Sequence, residues 1–279
     1  MKGFGSALGA ALTLAAVIAA ASALSREWDA LTGRPLAYAD ARRVCLLRAW
    51  DEVRERETFD MPLAAFVALA PEASSFEHLA AYRYWSAGFA GDGRHERVQA
   101  YRVSADMFPL LGIAPLLGRT LQAADALPTA PKAAVLSHDF WLRRFAGAAD
   151  VIGRVLLLDG EPHVIVGVMP ARFEFPLDNF KGELWTPLAV DAAAASRDPG
   201  AAGTVVAIGR LRAGRSTHAA EAEVRAAFAR HAAQDPGTFR SLGVRVIPLQ
   251  QLGSAGAAAG LRLARWAVAA QVGGATRFQ

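Results

Sequence analysis

Val103-Ser104-Ala105-Asp106-Met107-Phe108-Pro109-Leu110-Leu111-Gly112 opens the stretch that decides the fold, and Val166-Gly167-Val168-Met169-Pro170 closes it. Ser104 is placed to cap a short helix with Met107, Phe108 and Leu111 on one side, and Gly112 suits its C-terminal end. Ala133–Leu136 reads as a short apolar strand, and Ser137 as the cap of a second helix. On that helix Phe140, Trp141, Arg144 and Phe145 recur at i, i+1, i+4 and i+5, an apolar flank edged by Arg143 and Arg144. Val155–Leu158 and His163–Val168 are β-rich runs separated by Asp159-Gly160. Such a pair signals a two-residue hairpin, because both central residues need positive φ. Gly118-Arg119-x-Leu121 and Gly153-Arg154-x-Leu156 look alike, so each arginine is expected to enter a strand from a turn. The region reads as a compact β-rich module with two small helices.

Outward from this module the pattern changes. Pro62–Leu69 is a helical segment, with Leu63, Phe66 and Val67 at i, i+3, i+4 and the proline in the first turn. Phe76–Tyr82 enters a strand, Phe89–Gly93 reads as a turn, and His95–Val103 as the returning strand. Leu184-Trp185-Thr186-Pro187-Leu188 is an edge-strand candidate, since Pro187 lacks an amide donor. After an Ala/Gly/Pro linker at 191–203 comes a strand–helix–strand unit. It comprises Thr204–Leu211, a helix over Thr217–Ala233 with Ala220, Val224, Ala227, Phe228 and His231 along one face, and Gly243–Leu249. The fold class is therefore α+β. A split α/β layer of two βαβ-like halves, built from 40–103 and 203–250, would hold an inserted β-rich subdomain over 104–202.

The order of these markers resembles the MacB-like periplasmic core domain of FtsX-like ABC-transporter permeases, of the orphan duplicated-permease type. Two further runs carry the likeness. Arg34-Pro35-Leu36-Ala37-Tyr38 resembles the membrane-exit segment before the first periplasmic strand, and Phe76-Glu77-His78 a Ser-Phe-Glu run entering a strand. The resemblance implies the same split layer with a porter-like α/β subdomain, a non-catalytic role coupled to ATP-driven movement in the membrane, and periplasmic partners or substrates. It also implies other permease helices and a separate ATPase subunit. One departure stands out: in such proteins the first apolar helix continues almost to the exit segment, whereas Arg26, Glu27 and Asp29 interrupt it here.

Gly3–Leu24 contains no charged residue and follows Lys2. As a helix it would span about 33 Å, enough for a hydrocarbon core. Lys2 before it and the charges after it orient the N-terminus inward and the bulk outward. The segment is rich in alanine and glycine, and Ala21-Ser22-Ala23 also fits the small-x-small rule for signal cleavage. A retained anchor over 1–24, with an exit linker over 25–39, and a cleaved signal both stay open. The resemblance favours the anchor, and with it an inner-membrane, single-pass protein whose bulk is periplasmic. Gly253–Gln279 is a Gly/Ala-rich tail broken by Arg262, Arg265 and Arg277, too polar for a second span. The expectation is a permease truncated after its periplasmic domain, with a stand-alone exported binding module as the alternative.

Chemistry is sparse. The net charge of +4 reflects 30 basic against 26 acidic residues spread along the chain, without the clustered Lys/Arg and interleaved aromatics of a nucleic-acid surface. There is no Gly-x-x-x-x-Gly-Lys-[Ser/Thr], Gly-x-Ser-x-Gly, His-Glu-x-x-His or Cys-x-x-Cys. The six histidines are scattered, and no catalytic, cofactor or metal residues are assigned. Ser137-His138-Asp139 is better read as a helix start than as a triad, because three successive residues do not converge on one point. Glu174, Asp178 and Glu183 read as a solvated loop. Phe140, Trp141, Phe145, Phe173, Phe175 and Trp185 read as the core of the inserted module, and Cys45 as a small core residue.

Overall fold

The computed structural model describes residues 38, 40–51, 56–58, 60–91, 94–173, 175, 181–189 and 203–249. All but Leu249 belong to one compact unit, Ala37–Pro248. A 3-10 turn, Ala41–Arg43, leads into β1 (Val44–Asp51), β2 (Arg56–Thr58) and β3 (Met61–Pro62), then α1 (Leu63–Leu69). Next come β4 (Phe76–Gly91), β5 (Arg94–Val103), α2 (Met107–Leu111), β6 (Leu117–Gly118), β7 (Ala133–Leu136) and α3 (His138–Phe145). β8 (Val155–Leu158), β9 (Glu161–Val168), β10 (Leu184–Pro187), β11 (Thr204–Leu211), α4 (Thr217–Ala232), α5 (Pro236–Phe239) and β12 (Leu242–Pro248) complete the described elements. This is a mixed α/β fold with few helices.

Four strands pair in the order β12-β1-β11-β4, every neighbour antiparallel. α1 connects the β1 side to β4, and α4 connects β11 to β12, so each helix bridges two strands that a third one separates. Alternation along the strands decides which face the helices cover. Leu47, Ala49, Leu79, Ala81, Val205, Ala207, Val244 and Val246 point to one side, where Phe66 and Leu69 of α1 and Val224 and Phe228 of α4 pack on them. Gly209 has no side chain because Phe76 needs the space: a Cβ there would stand 2.3 Å from the ring.

β4 is long enough to serve two structures. Its first half pairs with β11 through Phe76–Tyr82, and its second half pairs with β5 from Tyr82↔Val103 to Gly91↔Arg94. From β5 the ladder continues to β10 (parallel), β7 (antiparallel), β9 (parallel) and β8 (antiparallel). β8 then returns to β4 through Phe89↔Leu158 and Ala90↔Leu157. Six strands thus close a ring. A barrel of so few strands has room only for side chains, and its interior mixes small with large ones: Ala87, Ala100 and Ala134 beside Phe89, Leu136, Leu158, Ile165 and Leu184. Phe140 of α3 packs against Phe89, with ring centroids 5.5 Å apart.

Local expectations meet the structure as follows. Asp159 (φ 49°) and Gly160 (φ 80°) form the β8–β9 hairpin turn. Ser137 caps α3 by accepting from the Phe140 amide at 3.1 Å, and Gly112 ends α2 at φ 66°. Four readings are corrected. Ser104 does not cap α2 with its side chain: its hydroxyl accepts from the Ala81 amide at 3.0 Å and ties β5 back to β4. Phe89–Gly91 is strand rather than turn, because Phe89 faces the barrel core and β8 pairs with this stretch. β10 is internal, lying between β5 and β7; Pro187 is tolerated because β7 pairs only with Leu184 and Trp185. Arg154 does enter β8, but Arg119 leaves β6 and clasps Asp125 at 2.8 Å. The anchor reading of residues 1–24 lies outside the described residues. Among those described, no helix is long and apolar enough to cross a membrane.

Candidate functional site

Among the described residues, the reactive-looking ones do not assemble into a catalytic arrangement. Ser137 is consumed as the helix cap, and Asp139 pairs with Lys181 at 2.8 Å, which holds its carboxyl below the ordinary carboxylate range. His138 packs edge-on against Trp141 instead of aligning with a nucleophile. Glu183 is not solvated as expected: it accepts from the Gln99 amide at 2.8 Å and pairs with Arg143, pinning the start of β10 to β5 and α3. Glu174 and Asp178 lie outside the described residues. Asp139, Lys181, Arg143 and Glu183, with Gln99 and Ser137, line an open depression of about 310 Å³. Its two cations face two anions, so it offers no net charge for a ligand.

The aromatic residues divide between two places. Phe140, Trp141 and Phe145 belong to the barrel core. Trp185 and Phe173 pack instead with Phe108 of α2, at 5.0 to 6.3 Å between centroids, while Phe175 meets Tyr82 at 5.0 Å. Cys45 is buried, which pushes its thiol up to about 12 and leaves it unreactive at neutral pH. Among the described residues no group of histidine, cysteine and carboxylate side chains is placed to hold a metal.

A further concentration of constrained charge lies where β1 begins and β11 ends. Arg210 is 4% exposed. Its Nε donates to the Leu110 carbonyl at 2.6 Å, at the end of α2, and its Nη1 to the Asp40 carbonyl at 3.3 Å, before β1. Burial lowers its affinity for the proton, with adjacent Arg43 adding to the effect. Arg43 reaches Asp40 and Glu77, both at 2.7 Å, and the Leu211 carbonyl at 2.8 Å. Its hydrogen bonds hold both carboxyls below the ordinary range. His78 stands 3.4 Å from Asp106 nearby.

Two arginines therefore join four segments: the chain before β1, the start of β4, the end of β11 and the end of α2. A buried guanidinium is costly to leave without acceptors, so these contacts favour moving as a set. The arrangement ties the four segments together; among the described residues it supplies no nucleophile, no general acid–base pair and no phosphate cradle. The sequence reading missed this junction. One signal was present: alternation places Arg210 on the same face as Ile208, a charged residue in an apolar row.

Comparison with known proteins agrees with this architecture. The structure is similar to a domain of a protein assigned as a permease from Porphyromonas gingivalis, with a TM-score of 0.57 and 15% identity over 76% of this chain and 92% of that one. It is also similar to the periplasmic region of MacB from Actinobacillus actinomycetemcomitans (TM-score 0.54, 12% identity, 77% of this chain and 92% of that one). The extracellular domain of the noncanonic ABC-type transporter YknZ from Gram-positive bacteria aligns at TM-score 0.51 and 13% identity, over 72% of this chain and 98% of that one. No curated protein sequence matches the chain. At these identities the structural likenesses speak for the fold. The profile of the MacB-like periplasmic core domain, however, matches residues 4–227, most of the sequence, and the chain belongs to that family.

Proposed function

We propose that this chain is the extracytoplasmic part of an ABC-transporter permease-like protein. It catalyses no reaction, and passes conformational change between the membrane and periplasmic partners or substrates. The observation that carries this reading is the Arg43–Arg210 junction. It links the segment entering the domain at Asp40 both to the sheet and, through the Leu110 carbonyl, to the first helix after β5. Movement of the entering chain would thereby be felt in the barrel. Residues 1–24 serve as a transmembrane anchor and 25–39 as an exit linker. An α/β subdomain comprises 40–103 and 203–250, and the inserted β-rich subdomain comprises 104–202, to whose core the β4–β5 hairpin lends Phe89 and Val98. ATP hydrolysis belongs to a separate subunit, and further permease helices complete the membrane part.

The test is fractionation of cells expressing the full chain with a C-terminal tag, followed by determination of the mature N-terminus. Membrane-bound protein beginning at or near Met1, with the tag outside, is the expected result. Soluble periplasmic protein beginning at Leu24 would replace this reading with an independent exported binding module.

A further inference from the structure

We propose that Arg42, Arg212 and Arg215 form a contact surface for the headgroups of anionic lipids, so that this end of the domain rests on the bilayer. The inference depends on the anchor reading above. All three arginines are exposed, and none forms an ion pair among the described residues. Their placement follows from the sheet. Val44 pairs with Arg210 and Arg43 reaches the Leu211 carbonyl, so residues 42 and 212 lie at the same end of β1 and β11. The Arg212 guanidinium donates to the Ser74 carbonyl at 3.0 Å, and the Arg215 amide donates to the Arg212 carbonyl at 3.1 Å across a turn with Gly214 at φ 78°.

The acidic groups at this end are engaged mainly by another arginine: Asp40 and Glu77 both pair with Arg43, while Arg42 reaches Asp40 only through its longer-range charge. Both connections to the rest of the chain leave here, since residue 40 precedes β1 and Cys45 pairs with Pro248 at the end of β12. Clustered like charges repel one another, and a surface of lipid phosphates relieves that repulsion. Each arginine brought within a Debye length of such a surface contributes about fivefold to partition.

The full chain would be mixed with vesicles of phosphatidylcholine alone or of phosphatidylcholine with phosphatidylglycerol. Flotation reads attachment, and the rate of tryptic cleavage after Arg212 and Arg215 reads contact. The expected result is flotation with both lipids, with cleavage slowed about fivefold or more only on the anionic vesicles and restored by high salt. Arg42→Gln, which leaves both cleavage sites intact, should lose about fivefold of that protection. Equal cleavage rates on the two lipids, with flotation intact, would overturn the arginine surface and leave the anchor standing. Flotation only with anionic vesicles, reversed by salt, would overturn the anchor and leave the arginine surface standing. Flotation with neither would remove both.

Discussion

Replacing Phe140 with alanine tests whether the barrel and the helix-covered sheet stand or fall together. Phe140 is fully buried on α3, its ring 5.5 Å from Phe89 and 6.4 Å from Phe145. Truncating a buried phenylalanine costs about 3–5 kcal/mol, transfer and cavity terms together. In a domain of this size each kcal/mol moves the midpoint by roughly 2–4 °C, so Tm should fall by roughly 6–20 °C. β4 runs without interruption from β11 to β8, so the loss should register in both parts. Thermal unfolding followed by tryptophan emission, to which Trp85 and Trp141 beside the barrel core contribute, should coincide with far-ultraviolet dichroism in wild type and variant alike. Hydrogen exchange localises the effect: amides of α4 and β12, remote from the substitution, should lose protection together with β8 and β9. Wild-type protection in α4 and β12 of Phe140→Ala, with only the barrel amides opened, would refute the argument that one strand makes the two parts a single cooperative unit.

Three other outcomes follow from particular contacts. Burial holds His163 below its ordinary value near 6.5. The folded state therefore binds fewer protons than the unfolded one, and stability from this group is complete above pH 6.5 and lost as pH falls towards the lowered value. His163→Gln should flatten urea-unfolding stability across that window. Gly209→Ala places a Cβ 2.3 Å from the Phe76 ring and should cost about 1–3 kcal/mol by overpacking, measured as a lower urea midpoint. Glu221 accepts from the Val246 amide at 3.1 Å on β12. Glu221→Ala should free that donor, cost about 1 kcal/mol, and raise concentration-dependent association in light scattering, because β12 is the end strand of its sheet.

What the sequence revealed and what it hid differ in range. The Asp159-Gly160 turn, the Ser137 cap and the unit from Thr204 to Pro248 depend on neighbours a few residues away, and each was readable from local pattern. Ring closure was not: Phe89 and Leu158 meet because the barrel's curvature brings β8 round to β4, which no window contains. Pro187 misled for a related reason. Its missing donor argues for an edge, yet what matters is that β7 stops short of it. The Arg43–Arg210 junction stayed hidden because burial of Arg210 comes from α2 and from the chain before β1, contributed by segments distant in sequence.

The order β12-β1-β11-β4 carries a consequence for synthesis and export. β1 and β4 are made early but never pair with each other, since β11 lies between them, and β11 and β12 come last. A chain made from its N-terminus would hold Val44–Arg48 of β1 and Phe76–Ala81 of β4 without strand partners until Thr204–Pro248 emerged. Such distant pairing makes folding slow, and the waiting strands are open to association with other chains. The rate at which this domain folds should thus be set by the arrival of its last elements, however stable the finished sheet.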